Sequence, residues 1–488
     1  MTTAKILRSL PQIRDHFARN EVPYHFVSTS NFNMLGMHDW VRGWRNLSLI
    51  DSFDGSHPHL LALPSSQVFH SIQEISLHLL RNAPFADRRG EPAARALFLF
   101  FDEQVEDLCR EIGLEIQLPP YRLVREVDSK IVTTEIGNEA GVASVPNVLA
   151  RIGSYDELQR VAASLGREWV LQTPYGDSGK TTFFISGPGD YGAAAPVIER
   201  EQQVKVMRRI DCMPTAVEAC ATRWGTFVGP LMTELVGLPQ LTPYAGGWCG
   251  NELYESAFTP AIRRRVLEKT QAMGDALYRR GYRGTFELDF LIDRDAGEVY
   301  LGELNARITG ISAMTNLSDF CSSNIPLFLF HLLEYDPGVE LELDVRTFNE
   351  QVLQCGASGV SAQAILKYTE HELRIVTEAP RSGVYALGEG GRLQLRKPGW
   401  DRRQALGADE VYVLRILGAG EYAYGGADLA IVFLNQVIAG DDGKLNADGQ
   451  RWVAALQAAF AYRSLNQEER SLVEQANRPA SIKSDGRP

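Results

Sequence analysis

GTFELDFLIDRDAGEVYLGELNAR, residues 284–307, reads as two alternating strands around an Asp-Ala-Gly turn. The two-residue period of a strand puts Glu287 and Asp289 on one face and Phe286, Leu288 and Phe290 on the core face. On the return strand the same period gathers Glu303, Asn305 and Arg307. If the hairpin pairs in register, Asp289 comes close to Glu303 and Asn305, and three oxygen donors converge. Two carboxylates and an amide oxygen suit a hard cation such as magnesium, which keeps positions open for phosphate oxygens and water. Arg307, one step along, is aimed at a phosphoryl or carboxylate group that its planar fork binds through two oxygens. The competing reading is a solvated hairpin face whose Glu and Arg side chains pair as surface ions.

Upstream, TPYGDSGKTT, residues 173–182, ends like a phosphate-binding P-loop. Pro174 stands where that loop needs a glycine, and a β-branched, aromatic run follows where it needs a helix. With Trp169-Val-Leu-Gln172 in front, the pattern is strand, small loop, strand. The amides of Gly176, Ser178 and Gly179 can fold over polyphosphate with Lys180 adding charge, and a plain surface hairpin fits the turn equally.

The 488 residues suffice for about three domains, and 44% hydrophobic with 23% charged residues excludes disorder and fibrous repeats. Forty-nine basic against 61 acidic residues leave a net charge of −12, so neither nucleic acid nor anionic membrane is expected as a partner. Six cysteines without a CxxC pair, no signal-like amino terminus and no apolar run of membrane length predict a reduced cytoplasmic protein. Residues 96–120 read as a β-α-β unit, and with strands at 24–28 and 47–50 they predict an open parallel sheet at the amino end. Helices are predicted over 154–165, from a Ser154 cap, and over 260–280, capped by Thr259 and closed by Gly281. Strands over 362–368, 373–387, 393–396 and 411–417, then a helix near 450–462, predict a β-rich end.

Asp128-Ser-Lys130, Glu139-Ala-Gly-Val142, Val145-Pro146, the Gly loop at 176–179, Asp289 and Glu303-Leu-Asn305-Ala-Arg307 follow an order and spacing that resembles the ATP-grasp superfamily of ligases, over about residues 97–333. The resemblance implies an α/β ATP-grasp fold. An N-terminal open α/β (pre-ATP-grasp) domain would span 1–127, and the ATP-grasp domain 128–335 with a small lid at about 146–206. A C-terminal β-rich domain like that of biotin-carboxylase-like members would span 336–488. It further implies ATP with magnesium or manganese, Lys130 on a phosphate and the 176–181 loop, Thr181 included, as a lid over the β- and γ-phosphates. The backbone of Met207, Arg208, Arg209 and Ile210 would face adenine. Asp289, Glu303 and Asn305 would hold the metal, and Arg307 would steady the transferred phosphoryl group. The family places a lysine where this chain has Gln172, so the charge on the α-phosphate falls to Lys180 if that side chain swings in.

Biotin carboxylases follow the Asn-x-Arg element with Ile-Gln-Val-Glu-His, whose Glu deprotonates bicarbonate, whereas Ile308-Thr-Gly-Ile-Ser312 stands here. The small residues at 309–313 are expected to leave room for a larger acyl group. The resemblance therefore favours a ligase that joins a carboxylate to an amine, an amino acid or peptide, through an acyl phosphate, closest in kind to stand-alone amino-acid and peptide ligases. A homodimer is the assembly to test. The rivals are a carboxylase-like or thiol-accepting ligase and a non-catalytic ATP-binding regulator. His38, His57 and His59 read as ordinary loop histidines, Arg381 as a surface arginine, and residues 244–250 as a flexible connection or a pocket border.

Overall fold

The computed structural model describes residues 4–65, 67, 69–84, 93–176, 181–317, 320, 324–355, 361–405, 407, 409–440 and 442–476. Its amino-terminal part is the predicted open sheet of five parallel strands, in the order Leu60–Ala62, Trp44–Ser48, Tyr24–Ser28, Arg95–Phe98, Glu115–Ile116. The helix Glu103–Glu111 starts where the Asp102 side chain accepts from the Val105 amide, and it completes the β-α-β unit. The strand expected at 47–50 begins instead at Trp44, because that indole stacks on Tyr24 inside the core.

A second, antiparallel sheet of four strands runs in the order Asn147–Ala150, Val204–Arg208, Trp169–Gln172, Thr182–Ile185. Helices Tyr155–Val161 and Pro188–Ile198 close it around a core of its own that includes Leu158, Leu171, Ile198 and Val206. The expected hairpin around the Gly loop is therefore present. Ser178, Gly179 and Lys180 lie outside the described residues.

Eleven of the remaining described strands form one antiparallel sheet, from Val299–Asn305 at one edge to Leu393–Pro398 at the other. Ser361–Lys367 pairs directly with Trp248–Leu253, so the β-rich end continues the sheet that carries the acidic hairpin. One face packs on the helix Pro260–Arg279, with Phe286, Leu288 and Phe290 fully buried as the alternation requires. On the other face Ala216, Met232, Ile365, Tyr412 and Phe433 form a core with Phe32, Leu35 and Phe53 from the amino-terminal loops. A short parallel pair, Lys5–Leu7 with Val339–Leu341, ties the chain start to the segment behind this sheet.

Several expectations change. Residues 373–387 are two strands, Arg374–Glu378 in a separate three-stranded sheet and Gly383–Leu387 in the main one. The break falls at Pro380, which has no amide proton, and at Gly383, where φ is +156 and an added Cβ would lie 2.4 Å from the Lys397 carbonyl oxygen. The helix expected near 450–462 is Ala447–Gln457, capped by Asn446, residues 461–462 belong to a strand, and a further helix, Gln467–Ala476, follows. Residues 248–250 are no flexible connection, since Trp248–Leu253 lies inside the large sheet. No helix among the described residues is long and apolar enough to cross a membrane.

Candidate active site

The strands Gly284–Asp293 and Val299–Asn305 pair with Asp289 opposite Glu303 and Glu287 opposite Asn305. A bulge after Asp289 leaves Gly302 as the extra residue, where an added Cβ would sit 3.1 Å from the Asp289 carbonyl. The next strand, Cys212–Thr222, sets Glu218 beside Glu287 and Ala216 beside Asp289. Met232–Val236 then adds Glu234, a residue that sequence reasoning missed. Carboxylate oxygens of Glu234, Glu287 and Asp289 lie within 4.8 Å of one another. Asp289 thus meets Glu303 as expected, while Asn305 faces Glu287, and the face carries more carboxylates than the two predicted.

Burial shapes these acids. It pushes Glu234 up to about 8, with the charges of Glu287 and Glu303 adding to the effect. Glu287 rises to about 7 mainly through burial. Asp289 rises well above its ordinary value through burial and then through the neighbouring carboxylates, against the pull of Arg307. Asp289 Oδ1 is buried with no hydrogen-bond partner. Oxygen-only donors, mutual repulsion and one orphaned carboxylate oxygen fit a hard divalent cation, whose charge relieves all three conditions.

Basic groups close the site from the side of the four-stranded sheet. Lys130, the first residue of the helix Lys130–Glu139 and 3% exposed, donates from Nζ to Glu303 Oε1 at 2.7 Å and to the Gly176 carbonyl at 3.0 Å. Its amide donates to the Pro174 carbonyl, so the near end of the Gly loop is tied to the acidic face at two points. Arg307 Nη1 donates to Asn305 Oδ1 at 2.6 Å and to Asp128 Oδ1 at 3.2 Å, with the guanidinium over the Phe100 ring.

Gln172 donates to Thr182 Oγ1 at 3.3 Å and leaves its own buried Oε1 unpartnered. Directly across the sheet from it stands Lys205. This lysine is fully buried and donates to Ser144 Oγ at 3.1 Å. Burial pulls it down to about 8, a shift that the Glu303 charge opposes and the Lys130 charge assists. Its signal in the sequence was a lone cation inside the apolar run Val204-Lys-Val-Met207. Of the segment expected to face adenine, Met207 is buried, and the amides of Arg208 and Arg209 are donated to the Pro146 and Glu168 carbonyls. Ile210 follows the end of the strand.

The segment after Arg307 is filled rather than open. Glu218 accepts from the hydroxyls of Ser312 and Thr315, and burial pushes it up to about 7. The Trp248 ring lies on Gly310, where an added Cβ would be 2.2 Å from Cη2, and its Nε1 is fixed by Asn251 Oδ1 at 2.9 Å. The expected room for a large acyl group is therefore occupied at Gly310 by an indole. Replacing Gly310 with Ala is expected to cost about 1–3 kcal/mol through overpacking, read as a lowered urea midpoint with unchanged slope. Tyr244 is tied to the Gly425 carbonyl and Arg381 to Asp54. His38, His57 and His59 cluster, with ring centroids 4.8 and 5.0 Å from His38 to the other two. His57 Nδ1 accepts from the His59 amide, which leaves the proton on Nε2 and argues against a metal ligand there.

No family model matches the chain. It is similar to chloroplastic biotin carboxylase of Arabidopsis thaliana, 24% identical over 216 residues, 41% of this chain and 37% of that protein. It is also similar to the mitochondrial methylcrotonoyl-CoA carboxylase subunit alpha of Oryza sativa subsp. japonica, 22% identical over 51% of this chain and 37% of that one. The chain thus spans little more than a third of the length of these relatives. Among solved structures it resembles the biotin carboxylase domain dimer of Hydrogenobacter thermophilus 2-oxoglutarate carboxylase with MgADP and bicarbonate, TM-score 0.59, 12% identical, covering 92% of each chain. Carboxyaminoimidazole ribonucleotide synthase of Aspergillus clavatus with ATP gives a TM-score of 0.53 at 11% identity, covering 90% of this chain and 99% of that one. Phosphoribosylamine–glycine ligase of Thermotoga maritima gives 0.52 at 12%, covering 91% and 98%.

Proposed function

We propose that this chain, which has the ATP-grasp fold of biotin carboxylase and its structural neighbours, uses ATP to activate a carboxylate and joins it to an amine. The observation that carries the reading is the face of clustered, largely half-buried carboxylates linked through Lys130 to a Gly-rich hairpin. Asp289, Glu303 and Asn305, joined by Glu287 and Glu234, would hold magnesium or manganese. When bound, the metal supplies charge neutralisation between neighbouring phosphates.

The protein's own groups do the rest. Lys130 and Lys205 offset phosphate charge, and Arg307, held flat by Asp128, Asn305 and Phe100, steadies the phosphoryl group as it passes from ATP to the carboxylate oxygen, releasing ADP and leaving an acyl phosphate. The lid excludes water that would hydrolyse that intermediate, and Ile210 at the end of the lid strand borders adenine. An amine then displaces phosphate to form the amide, with ADP and phosphate as products. The absence of a carboxylate base after Arg307 favours this over bicarbonate activation. A second reading, carboxylation, rests on the sequence likeness to two carboxylases.

A screen for ADP release over amino acids and short peptides, with mass spectrometry of the products, tests the proposal. Bicarbonate-dependent release without an amine would select the second reading, and no release with any pair would end both.

The acidic face also predicts a pH dependence. Folded values of about 8 for Glu234 and about 7 for Glu287, against an ordinary 4.5, mean that the folded state binds more protons across that window. Stability without divalent ions is therefore expected to fall as pH rises from about 4.5 to 8. Melting temperatures should be higher at pH 6 than at pH 8, the gap should narrow with magnesium and ADP, and Glu234→Gln should flatten the profile.

A further inference from the structure

The loops that leave the adjacent parallel strands Tyr24–Ser28 and Trp44–Ser48 carry buried polar side chains with no partner. Ser28 and Ser48 stand side by side in the register, each 1% exposed, and neither hydroxyl is hydrogen-bonded. Asn31, also 1% exposed, has both its amide nitrogen and its oxygen unpaired. His38 Nδ1 on the first loop and Ser52 Oγ and His57 Nε2 on the second are unpaired as well. The His38 and His57 rings, 4.8 Å apart, bring the two loops together. Each unmet buried polar atom costs about 1–3 kcal/mol, so a concentration of them marks a place kept for something other than stability.

The position supports a ligand. From Tyr24–Ser28 the chain moves outward to Trp44–Ser48 and Leu60–Ala62, then returns to add Arg95–Phe98 on the opposite side. The order reverses between Tyr24–Ser28 and Arg95–Phe98, and open parallel sheets bind ligands at the carboxyl ends of the strands at such a point, so Ser28 and the loop after it border it while Ser48 stands one strand outward. The first of these loops also packs on the segment that follows Arg307. Asn33 Nδ2 donates to the Thr309 carbonyl at 2.9 Å, and Gly36, at a φ of +83, is wedged so close that an added Cβ would lie 2.4 Å from Leu317.

Three acidic groups of these loops are already engaged, and Arg42 lies at the far end of the first loop, where the chain enters Trp44–Ser48. Asp51 accepts from the Phe53 and Gly55 amides, Asp54 pairs with Arg415 and Arg381, and Asp39 pairs with Arg403. What remains are amide, hydroxyl and imidazole groups, a mixture of donors and acceptors. Burial holds His57 down at about 3 and lowers His38, so both rings are neutral at pH 7. Such a set has no cation for a carboxylate or phosphate and no anion for an ammonium group.

We propose that this cluster is a subsite for an uncharged amide, the peptide bond or side-chain amide of a substrate whose reacting end lies at the acidic face. The proposal rests on the ligase reading above and narrows its substrate to an amide-bearing one.

The test measures binding to the full chain without nucleotide, by ligand-observed NMR and calorimetry. The probes are L-alanyl-L-alanine and L-glutamine, against L-alanine and L-glutamate. An amide-bearing probe is expected to bind. Asn31→Leu should weaken it at least tenfold while the melting temperature holds or rises, because an unsatisfied group has been removed. Ser48→Ala, a smaller change, serves the same purpose if Asn31→Leu does not fold. Amide probes that bind no better than L-alanine and L-glutamate, or binding unchanged in the variant that folds, overturn the subsite. ADP release is measured in parallel. Amide binding without ADP release ends the ligase reading and leaves the subsite standing, whereas ADP release indifferent to both variants does the reverse.

Discussion

Glu303→Gln is expected to lower ADP release at least ~100-fold while the chain still folds, since the change removes a metal-binding charge but keeps the shape of the side chain. The glutamine oxygen can still accept from Lys130, whose ammonium now sits 2.7 Å from Glu303 Oε1. The cost in stability should therefore stay near ~1 kcal/mol. Asp289→Asn makes a sharper comparison. Its half-buried carboxylate stands beside two others and has one buried, unpartnered oxygen, so neutralising it should raise the melting temperature of the ligand-free protein as activity disappears. Steady-state ADP release and thermal unfolding of the two variants check both statements. Unchanged turnover in Glu303→Gln would remove that residue from the metal site.

Lys205→Met is expected to raise the dissociation constant of ATP about 10- to 100-fold and to raise thermal stability in the same protein. A fully buried lysine with a single described hydrogen bond, to Ser144, is a burden on the free fold. Its folded value of about 8, below the ordinary 10.5, means that the unfolded chain binds more protons between those two values, so this residue makes stability rise with pH there. Nucleotide binding needs the charged form and should run the other way, weakening as pH rises through about 8. Titration of ATP affinity against pH should show that loss in the wild type and not in Lys205→Met. A pH profile shared by both would return the missing charge to another residue.

The hairpin at 284–307 was legible because strict alternation fixes the faces of both strands, and a short turn fixes their register. Glu234 was not, because its strand is short and meets its neighbours only through long-range pairing. The same reason hid the continuity of the large sheet, which depends on Trp248–Leu253 finding Ser361–Lys367 more than a hundred residues later. Gln172 was visible as a departure, but its counterpart Lys205 could be matched to it only by the pairing of two strands. That Ser28, Asn31, Ser48 and Ser52 are buried and unsatisfied is a property of packing, not of local sequence.

The parallel pairing of Lys5–Leu7 with Val339–Leu341 has a bearing on biosynthesis. At ribosomal speeds the first of these strands waits on the order of tens of seconds for its mate to be translated. The five-stranded amino-terminal sheet is thus free to form early, while Lys5–Leu7, which is not part of it, stays without its partner strand until late, a window in which a chaperone or a neighbouring nascent chain has access to it.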